Sequence, residues 1–472
     1  MVAKMRFKTG GVFQLRWSLP VAISLSVCLL AAGCTSGDKP ADQSGKITLN
    51  LWENYNNEEH AVFIEMMKGF EEQSRELVGQ EVELNIGRVP FDGLLPRLKT
   101  ACQTGTTPDI ARVDCAHVVS LAYGKAVVPL DSLSTFEAAG IDELREEFVE
   151  AAFDSNVIDI VTASGEWEQH LYGLPDQTTC VALYWNRALF AASAAELEKA
   201  GLSPDRPPET WTEFVEYGKI LTNPVRSQYA FGMDNSLWWT FPFFNSFGAR
   251  FLKRLSSGNL ACTLNEEPGV QALSYKVDLY RSKYEIKGAK TGIEAGAWMS
   301  GAINASQGFI NQKYAMILSG PWNLNTFKAA GIDFGVGLIP AGPSGTSSNV
   351  GGTNFVIFKS AQKAGKAEAA HEVLKYIASE AYQREWCQRL QQIPVIKSVY
   401  ESVNFKDLPE LEMFMKQMLT AKARPRIPMY DKLEEIINPE MELALIGKKT
   451  PKECLDDAVA GIEKEVLSLV NR

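Results

Sequence analysis

The alternation of apolar and polar residues predicts three strands and two helices at the start of the globular chain. Residues 47–52 and 81–86 alternate as half-buried strands, and residues 108–113 form a third β-rich run. Residues 58–75 and 91–104 have the periodicity of helices and lie between these strands. This βαβαβ order predicts an α/β protein that begins with a parallel, doubly wound sheet.

A second set of apolar runs lies between residues 314 and 358. The run 314–318 is short and ends at Gly320-Pro321, with Trp322 directly after the break. The run 334–339 follows, and Gly351-Gly352 opens a third run at 355–358. Open α/β sheets bind ligands beyond the carboxyl ends of their strands, so Trp322 is a candidate ligand contact.

The C-terminal part is predicted to be helical. Residues 433–470 carry an amphipathic pattern, which we expect to be interrupted at Pro439 and at Gly447. Nothing in the chain repeats with a fixed period, so a solenoid is not indicated.

The first residues have the pattern of a secretory signal. Basic residues precede an apolar segment, 19–30, which is followed by the small residues 31–33 and by Cys34. The alternative is a transmembrane anchor, but a bilayer requires about 20 apolar residues and this run is shorter. We therefore predict a signal peptide at 1–33 and an exported protein.

Composition narrows the class of protein further. The chain has 472 residues, 46% of them hydrophobic and 22% charged, which is typical of a soluble globular protein with about two or three domains. The net charge of -10 argues against a nucleic-acid partner, because binding to phosphates needs a basic face. Besides Cys28 and Cys34, six cysteines are widely scattered, and their disulfide pairing stays open: Cys102, Cys115, Cys180, Cys262, Cys387 and Cys454.

Signatures of catalytic and metal chemistry are missing from the sequence. The four histidines are isolated, and His371-Glu372 has no second histidine one turn later, so no zinc-protease motif is formed. There is no Cys-x-x-Cys pair, nucleophile elbow, phosphate loop or dinucleotide fingerprint. We predict no metal, no cofactor and no catalytic residues.

Several stretches together resemble family 1 extracellular solute-binding proteins, the lipoprotein receptors of ATP-driven carbohydrate importers. They are TGTTPDI and LAYGKAVVPLDSL early in the chain, LYGLPDQTTCVALYWN in the middle, and GPWNL followed by VGGTNF. The resemblance covers nearly the whole mature chain. It implies a two-lobed periplasmic-binding-protein-like fold of type II, each lobe a mostly parallel sheet flanked by helices, with a ligand cleft between the lobes.

The resemblance also implies how the chain is divided. Cys34 after three small residues resembles the lipobox cysteine that becomes lipidated, although Ala31 stands where leucine is usual. Residues 34–46 are then a tether. Lobe 1 is expected at 47–173 and 354–393, and lobe 2 at 174–353 and 394–472, with three hinge crossings.

The candidate ligand-binding residues come from strand ends and from the resemblance. Loops after the first and third strands offer Asn54, Asn56, Asn57, Asp114 and His117, although each of these is equally interpretable as a helix cap or a solvated loop residue. The resemblance adds Gln177, Thr179, Trp322 and Arg424, with Arg426 and Tyr430 as rivals of Arg424. It also adds Trp238 and Trp239, for which a place in the core is the alternative. Gly351 and Gly352 would let backbone amides approach a ligand hydroxyl closely, although a plain turn explains them equally well. Trp298 is either a wall of the cleft or a ring packed at the surface.

The function implied by the resemblance is capture of a sugar or oligosaccharide and its delivery to the permease subunits of an ABC transporter. The protein would be a monomer, held by lipid alone at the periplasmic or outer face of the cell membrane. A secreted enzyme that binds or hydrolyses glycosides remains the alternative, because such enzymes also surround a sugar with tryptophan and carboxylates. A glycerol phosphodiester is a further possible solute.

Overall fold

The computed structural model describes residues 45–136, 140–161, 167–281, 286, 292–402, 404, 406 and 408–471. The predicted signal peptide and Cys34 lie outside these residues.

The described chain forms fourteen strands, which are numbered here in chain order. They are β1 (Lys46–Glu53), β2 (Glu81–Arg88), β3 (Ile110–Asp114), β4 (Val157–Val161), β5 (Trp167–Leu171), β6 (Gly173–Thr179), β7 (Ala182–Asn186), β8 (Tyr229–Met233), β9 (Leu252–Arg254), β10 (Leu260–Cys262), β11 (Glu294–Gly296), β12 (Tyr314–Ser319), β13 (Phe334–Gly337) and β14 (Gly351–Ile357).

Helices connect and cover these strands. They are α1 (Asn57–Val78), α2 (Phe91–Thr104), α3 (Cys115–Tyr123), α4 (Ile141–Arg145), α5 (Glu150–Asp154), α6 (Arg187–Ala192), α7 (Ala194–Lys199), α8 (Trp211–Leu221), α9 (Leu237–Phe247), α10 (Glu267–Tyr280), α11 (Ala305–Ile310), α12 (Leu324–Ala329), α13 (Lys359–Lys363), α14 (Ala367–Ile377), α15 (Glu380–Leu390), α16 (Lys397–Ser402), α17 (Pro409–Met418), α18 (Tyr430–Leu445), α19 (Pro451–Ile462) and α20 (Ser468–Val470).

Two five-stranded sheets give the protein its two lobes. The sheet of lobe 1 has the order β2-β1-β3-β14-β6, and that of lobe 2 has the order β11-β8-β12-β7-β13. The predicted α/β fold with two lobes is confirmed. Strands β1, β2 and β3 and helices α1 and α2 follow the predicted βαβαβ order, with β1 parallel to both neighbours.

The prediction that each sheet is mostly parallel is confirmed, because four of the five strands in each sheet run in the same direction and one is reversed. In lobe 1, β14 runs antiparallel to β3 and to β6. In lobe 2, β7 runs antiparallel to β12 and to β13. The cause is the passage of the chain between lobes. Strands β14 and β7 enter their sheets from the cleft edge, whereas β3 and β12 end at that edge.

Helix α1 illustrates how the local sequence specifies an element. The side chain of Asn56 accepts a hydrogen bond from the Glu59 amide, and the Glu59 carboxylate accepts one from the Asn56 amide, so the helix begins with a capping box. Its buried residues Phe63, Met67 and Phe70 recur at helical spacing and pack into the core of lobe 1. Cap and apolar stripe therefore fix both the start of the helix and its orientation.

The sheets also place the crossings differently from the predicted boundaries. Strand β6 belongs to the lobe 1 sheet, so the first change of sheet comes after Thr179 rather than at residue 174. Strand β14 begins at Gly351 in the same sheet, before the predicted boundary at 354. After Ile393 the chain stays on lobe 1, since the Val149 amide donates to the Val395 carbonyl at 2.8 Å.

The predicted helix break at Pro439 was wrong, whereas the helix does end before Gly447. Helix α18 continues through Pro439, which is exposed. Leu433 and Ile437 on one side and Met441 on the other are fully buried, so one apolar face spans the proline. Packing of that face holds the helix together despite the missing amide hydrogen bond.

The six cysteines of the described chain carry free thiols, and four of them are buried. The disulfide pairing that the sequence left open therefore does not occur among them. Within the same residues, no helix has the length and apolar character needed to cross a bilayer.

Candidate ligand-binding site

A cavity of about 930 Å³ lies between the lobes. It brings together all the predicted ligand-binding residues except Trp298: Asn54, Asn56, Asn57, Asp114, His117, Gln177, Thr179, Trp238, Trp239, Trp322, Gly351, Gly352, Arg424 and Tyr430. These residues come from separate stretches of the sequence, and folding gathers them at one place. Contact of each with a ligand stays a prediction.

Lobe 1 supplies polar side chains at the ends of two adjacent parallel strands. Asn54 follows β1, and Asp114 is the last residue of β3, which pairs with β1. Asn56 caps α1, and Asp114 Oδ1 caps α3 by accepting a hydrogen bond from the Ala116 amide at 2.8 Å. The two interpretations of these residues are therefore compatible, because a capping residue can also line the cavity.

A buried arginine that the sequence analysis missed organises the floor of the cavity. Arg112 lies in the middle of β3, and only 4% of it is exposed. Its Nε donates to Asp176 Oδ2 at 2.8 Å, Nη1 to Asn54 Oδ1 at 2.7 Å, and Nη2 to Gln177 Oε1 at 3.0 Å. Its guanidinium also stacks 3.7 Å from the ring centre of Tyr55. One side chain thus orients two predicted ligand contacts.

The electrostatics of this arginine are those of a paired buried charge. Burial alone would lower the pKa of Arg112, but the Asp176 carboxylate beside it raises that pKa above its usual value. Tyr55 adds a hydrogen bond from its hydroxyl to Asp176 Oδ2 at 2.8 Å. The signal in the sequence was a charged residue inside the apolar strand IARVD.

A second arginine, Arg424, connects the two lobes across the cavity. Its Nη2 donates to Asp114 Oδ1 at 2.6 Å and to Cys115 Sγ at 2.8 Å. The guanidinium lies 5.0 Å from the ring centre of Trp238 and 5.3 Å from that of Tyr430. Arg424 therefore fixes an acid of lobe 1 against two aromatic rings of lobe 2.

This pairing changes what Asp114 can do. Burial raises the pKa of Asp114, but the Arg424 guanidinium and His117 outweigh it, and the net shift is downward. The carboxylate is therefore ionised at neutral pH. Its Oδ1 already accepts hydrogen bonds from Arg424 and from Ala116, which limits the number of ligand hydroxyls that this carboxylate can accept.

Three half-buried tryptophans form the aromatic wall of the cavity. Trp238 and Trp239 lie in the first turn of α9, with their rings at 79° and 6.4 Å between centres. Trp322 lies in the short 3-10 turn Pro321–Asn323 that follows β12. All three line the cavity from lobe 2.

The glycine pair at the start of β14 allows the Trp238 ring and strand β6 to pack closely against β14. A Cβ at Gly351 would lie 2.4 Å from the Trp238 ring, and one at Gly352 would lie 2.3 Å from the Gln177 carbonyl oxygen. Gly352 also has a φ of +137°, which L-residues rarely adopt. Both glycines are therefore required by close packing within the cavity wall.

Comparison with known proteins decides the family. A sequence model of bacterial extracellular solute-binding proteins matches residues 60–384. The chain belongs to this family. Two curated relatives agree: a putative binding protein of Brucella abortus, 24% identical over 94% of this chain and 97% of its own, and the sn-glycerol-3-phosphate-binding periplasmic protein of Pectobacterium atrosepticum, 24% identical over 76% of this chain and 78% of its own.

A solved structure shows the same fold. The GacH receptor of Streptomyces glaucescens, which has been crystallised unliganded and with acarbose, aligns with a TM-score of 0.70. The alignment covers 89% of this chain and 98% of the receptor at 23% identity. The two-lobed architecture inferred from the two sheets is thus that of a solute-binding protein.

Several acids of this solute-binding protein also line the cavity and were not among the candidates. They are Glu58 and Glu59 on α1, Asp92 on α2 and Glu434 on α18. Burial raises the pKa of Glu59 and of Glu434. The remaining lining residues that were missed are Phe91, Ser236, Asn323, Thr326 and Thr353.

Four buried polar atoms on lining residues have no hydrogen-bond partner among the residues that the structure describes. They are Thr179 Oγ1, Thr353 Oγ1, Arg424 Nε and Tyr430 Oη. Buried polar atoms are normally satisfied, so each is available to a ligand atom that enters the cavity. The three hydroxyls can donate or accept, and the guanidinium nitrogen donates.

Trp298 lies outside the cavity, which corrects its place among the candidates. It follows β11, the edge strand of the lobe 2 sheet, and its ring packs against Tyr280 with 5.6 Å between centres. The surface-packed alternative holds. Arg426, the rival of Arg424, also points elsewhere, because its Nη1 donates to the Asp154 carbonyl at 2.8 Å.

Within the described residues, histidine, cysteine and carboxylate side chains form no cluster of three or more suited to a metal ion. The lining groups are instead aromatic rings, amides, hydroxyls and paired charges. Such a set can hold an organic molecule that has both apolar faces and hydrogen-bonding edges.

Proposed function

We propose that the protein captures a saccharide in this cavity and delivers it to an ABC importer. The observation that carries the proposal is the combination of the three tryptophans with the unpartnered buried groups of Thr179 and Thr353. A sugar ring offers an apolar C–H face that stacks on indole, and hydroxyl edges that need donors and acceptors at fixed positions. The lining groups match both requirements.

The first expected result is stabilisation by a saccharide. A ligand that binds the folded state stabilises it by about 2.7 kcal/mol at a hundredfold excess over its dissociation constant. A thermal-shift screen of mono- and oligosaccharides should therefore raise the melting temperature for at least one of them. A flat response across the whole panel at millimolar concentrations would contradict the proposal.

Hydrolysis is tested on the same samples. A glycoside hydrolase needs two carboxyl groups on opposite sides of the scissile bond, and the cavity does contain several acids. We propose binding without reaction, so the oligosaccharide that stabilises the protein should be recovered intact after long incubation. Release of shorter sugars would favour the enzyme instead.

Attachment to the membrane through a lipid on Cys34 is the second expected result. The small residues 31–33 before Cys34, behind a basic and apolar leader, support it. Two acyl chains hold a protein stably at a bilayer, whereas one chain does so marginally. Cys34→Ala should leave the chain uncleaved or released, as measured by membrane fractionation and intact mass. The matched variant Cys28→Ala, within the leader, should keep the anchor. A Cys34→Ala protein with the wild-type mature mass and membrane retention would refute this.

The third expected result is compaction on ligand binding. Two contacts join the lobes: Asn325 Nδ2 donates to Glu58 Oε1 at 3.0 Å, and Lys99 forms an ion pair with Asp431. A ligand that touches both lobes favours the closed form by its differential affinity for that form. Small-angle scattering should show a smaller radius of gyration with a saturating saccharide. An unchanged radius at saturation would count against hinge closure.

The partner proposed for the loaded protein is the membrane-embedded permease of the importer, with the binding protein as a monomer. Support comes from the relatives, which are named as binding proteins, and from the acarbose complex of the GacH receptor. Neither nucleic acid nor a cofactor has a role in this proposal.

A further inference from the structure

We infer that the cavity selects saccharides without an anionic group and excludes phosphate esters. The inference rests on the proposed function and specifies the class of ligand. It separates this chain from the relative named for binding sn-glycerol 3-phosphate, with which it shares 24% identity.

The cations of the cavity are already paired with acids. Among the described lining residues, the arginines are Arg112 and Arg424, and there is no lysine. Arg112 contacts Asp176 at 2.8 Å, and Arg424 contacts Asp114 at 2.6 Å. A phosphate entering the cavity would have to compete with a carboxylate that is held in place by the fold.

The third basic side chain of the cavity, His117, carries no positive charge at pH 7. Burial lowers the pKa of His117, and this effect outweighs the attraction of Asp114. The imidazole is therefore neutral at pH 7 and can exchange hydrogen bonds with a hydroxyl, but it does not neutralise an anion.

The acids, by contrast, outnumber the cations. Five carboxylates line the cavity, and four of them form no ion pair with any residue in the described part of the chain: Glu58, Glu59, Asp92 and Glu434. Burial raises the pKa of Glu59 and of Glu434, so their surroundings already oppose negative charge. A phosphate monoester brings about -1.5 to -2 further charges at pH 7.

Helix N-termini are the usual binding sites for phosphate. In lobe 1, acidic side chains already occupy the helix N-termini that face the cavity. Helices α1, α2 and α3 all begin at the cavity. Each has a carboxylate at its cap or in its first turn: Glu59 in α1, Asp92 in α2 and Asp114 at α3. These acids occupy the positions where a phosphate would gain from the helix dipole.

Helix α9 of lobe 2 also begins at the cavity and has no acid in its first turn. Its first amide, Leu237, donates to Asn438 Oδ1 at 2.7 Å. The face of the cavity that lacks acids is therefore occupied by Trp238 and Trp239 and by an amide that is already satisfied. It suits an uncharged ring better than an anion.

The test compares neutral saccharides with their phosphorylated counterparts by titration calorimetry at low ionic strength, where charge effects are largest. The probes are glucose and glucose 6-phosphate, trehalose and trehalose 6-phosphate, any further saccharide found by the thermal-shift screen with its phosphate ester, and sn-glycerol 3-phosphate. We expect each phosphate ester to bind at least tenfold more weakly than its neutral partner, and sn-glycerol 3-phosphate to give no saturable heat.

Two variants test whether the acids of the cavity cause the weaker binding of phosphate esters. Asp92→Asn removes an exposed acid at the rim, and Glu434→Gln removes one inside the cavity. Each variant should reduce the ratio of the dissociation constants of phosphorylated and neutral ligands, called the gap below, by about fivefold. The control Glu76→Gln removes an exposed acid from α1 outside the cavity and should leave the gap unchanged.

The possible failures are distinguishable. A phosphate ester that binds as tightly as its neutral partner, or saturable binding of sn-glycerol 3-phosphate, would overturn the inference and leave saccharide binding intact. A gap that persists unchanged in both acid variants would also overturn the role given to these acids. Absence of binding by every probe would contradict the proposed function itself, and the inference with it.

Discussion

Replacing Arg112 by leucine is expected to lower the free energy of unfolding by about 3–5 kcal/mol. The change leaves the carboxylate of Asp176 buried without its cation, since Asp176 is 1% exposed. Breaking a buried ion pair from one side has this cost because the remaining charge keeps its desolvation penalty. Asn54 and Gln177 would also lose the donor that orients them.

Denaturation by urea measures this effect directly. Arg145→Leu is the matched control, because Arg145 bonds Asp154 at 2.8 Å in a pair whose side chains are partly exposed. Such pairs contribute about 0–1 kcal/mol. The double variant Arg112→Leu/Asp176→Leu should recover part of the loss. An Arg112→Leu protein within about 1 kcal/mol of the wild type would show that the pair does not support the floor of the cavity.

Replacing Trp322 by alanine is expected to weaken saccharide binding by about 2 kcal/mol or more, which is about thirtyfold in the dissociation constant. The ring is half-buried at the cavity wall and packs closely against Gly320, where a Cβ would be 1.9 Å from it. A large aromatic ring at the wall of a cavity is suited to stacking on the apolar face of a sugar.

Two other tryptophans provide the controls for this variant. Trp386 is 1% exposed in the core, so Trp386→Ala should cost about 3–5 kcal/mol of stability. Trp298 lies outside the cavity, so Trp298→Ala should leave affinity unchanged. Calorimetric titration and urea denaturation of the three variants separate binding from folding. Normal affinity of Trp322→Ala, together with a large loss of stability, would show that the ring is part of the core.

Local pattern was sufficient for the elements whose contacts are local. The predicted helix at 91–104 coincides with α2, and α1 begins where its capping residues indicate. Both helices present an apolar stripe at helical spacing, which the sequence displays directly. The parallel order of β1, β2 and β3 follows because helices separate these strands along the chain.

The pairing of strands that are distant in the chain was harder to predict from the sequence. Gly351 and Gly352 were expected to precede a strand, but they lie within β14, where they pair with Thr179 and Thr178 of β6. That pairing joins residues more than 170 positions apart, and a glycine pair alone indicates a turn. The mostly parallel sheets were predicted, but the reversed direction of β14 and of β7 was not, since it depends on where the chain crosses between the lobes.

The residues of the candidate site also divide into those that the local sequence predicts and those that only distant contacts reveal. Asn54 and Asp114 were predictable because the carboxyl ends of neighbouring parallel strands meet at one edge. Arg112 was not, because its role comes from Asp176, 64 residues away in the sequence. Asp92 and Glu434 are ordinary helix-surface residues in the sequence, and only the tertiary fold turns them towards the cavity.

A crystal structure with the saccharide that most raises the melting temperature tests the central claim most directly. We predict one sugar ring stacked on Trp322, with hydroxyls within hydrogen-bonding distance of Thr179 Oγ1 or Thr353 Oγ1, which lack partners without a ligand. Electron density for the saccharide outside the cavity between the lobes, or within it but without contact to Trp322 and these hydroxyls, would contradict the account.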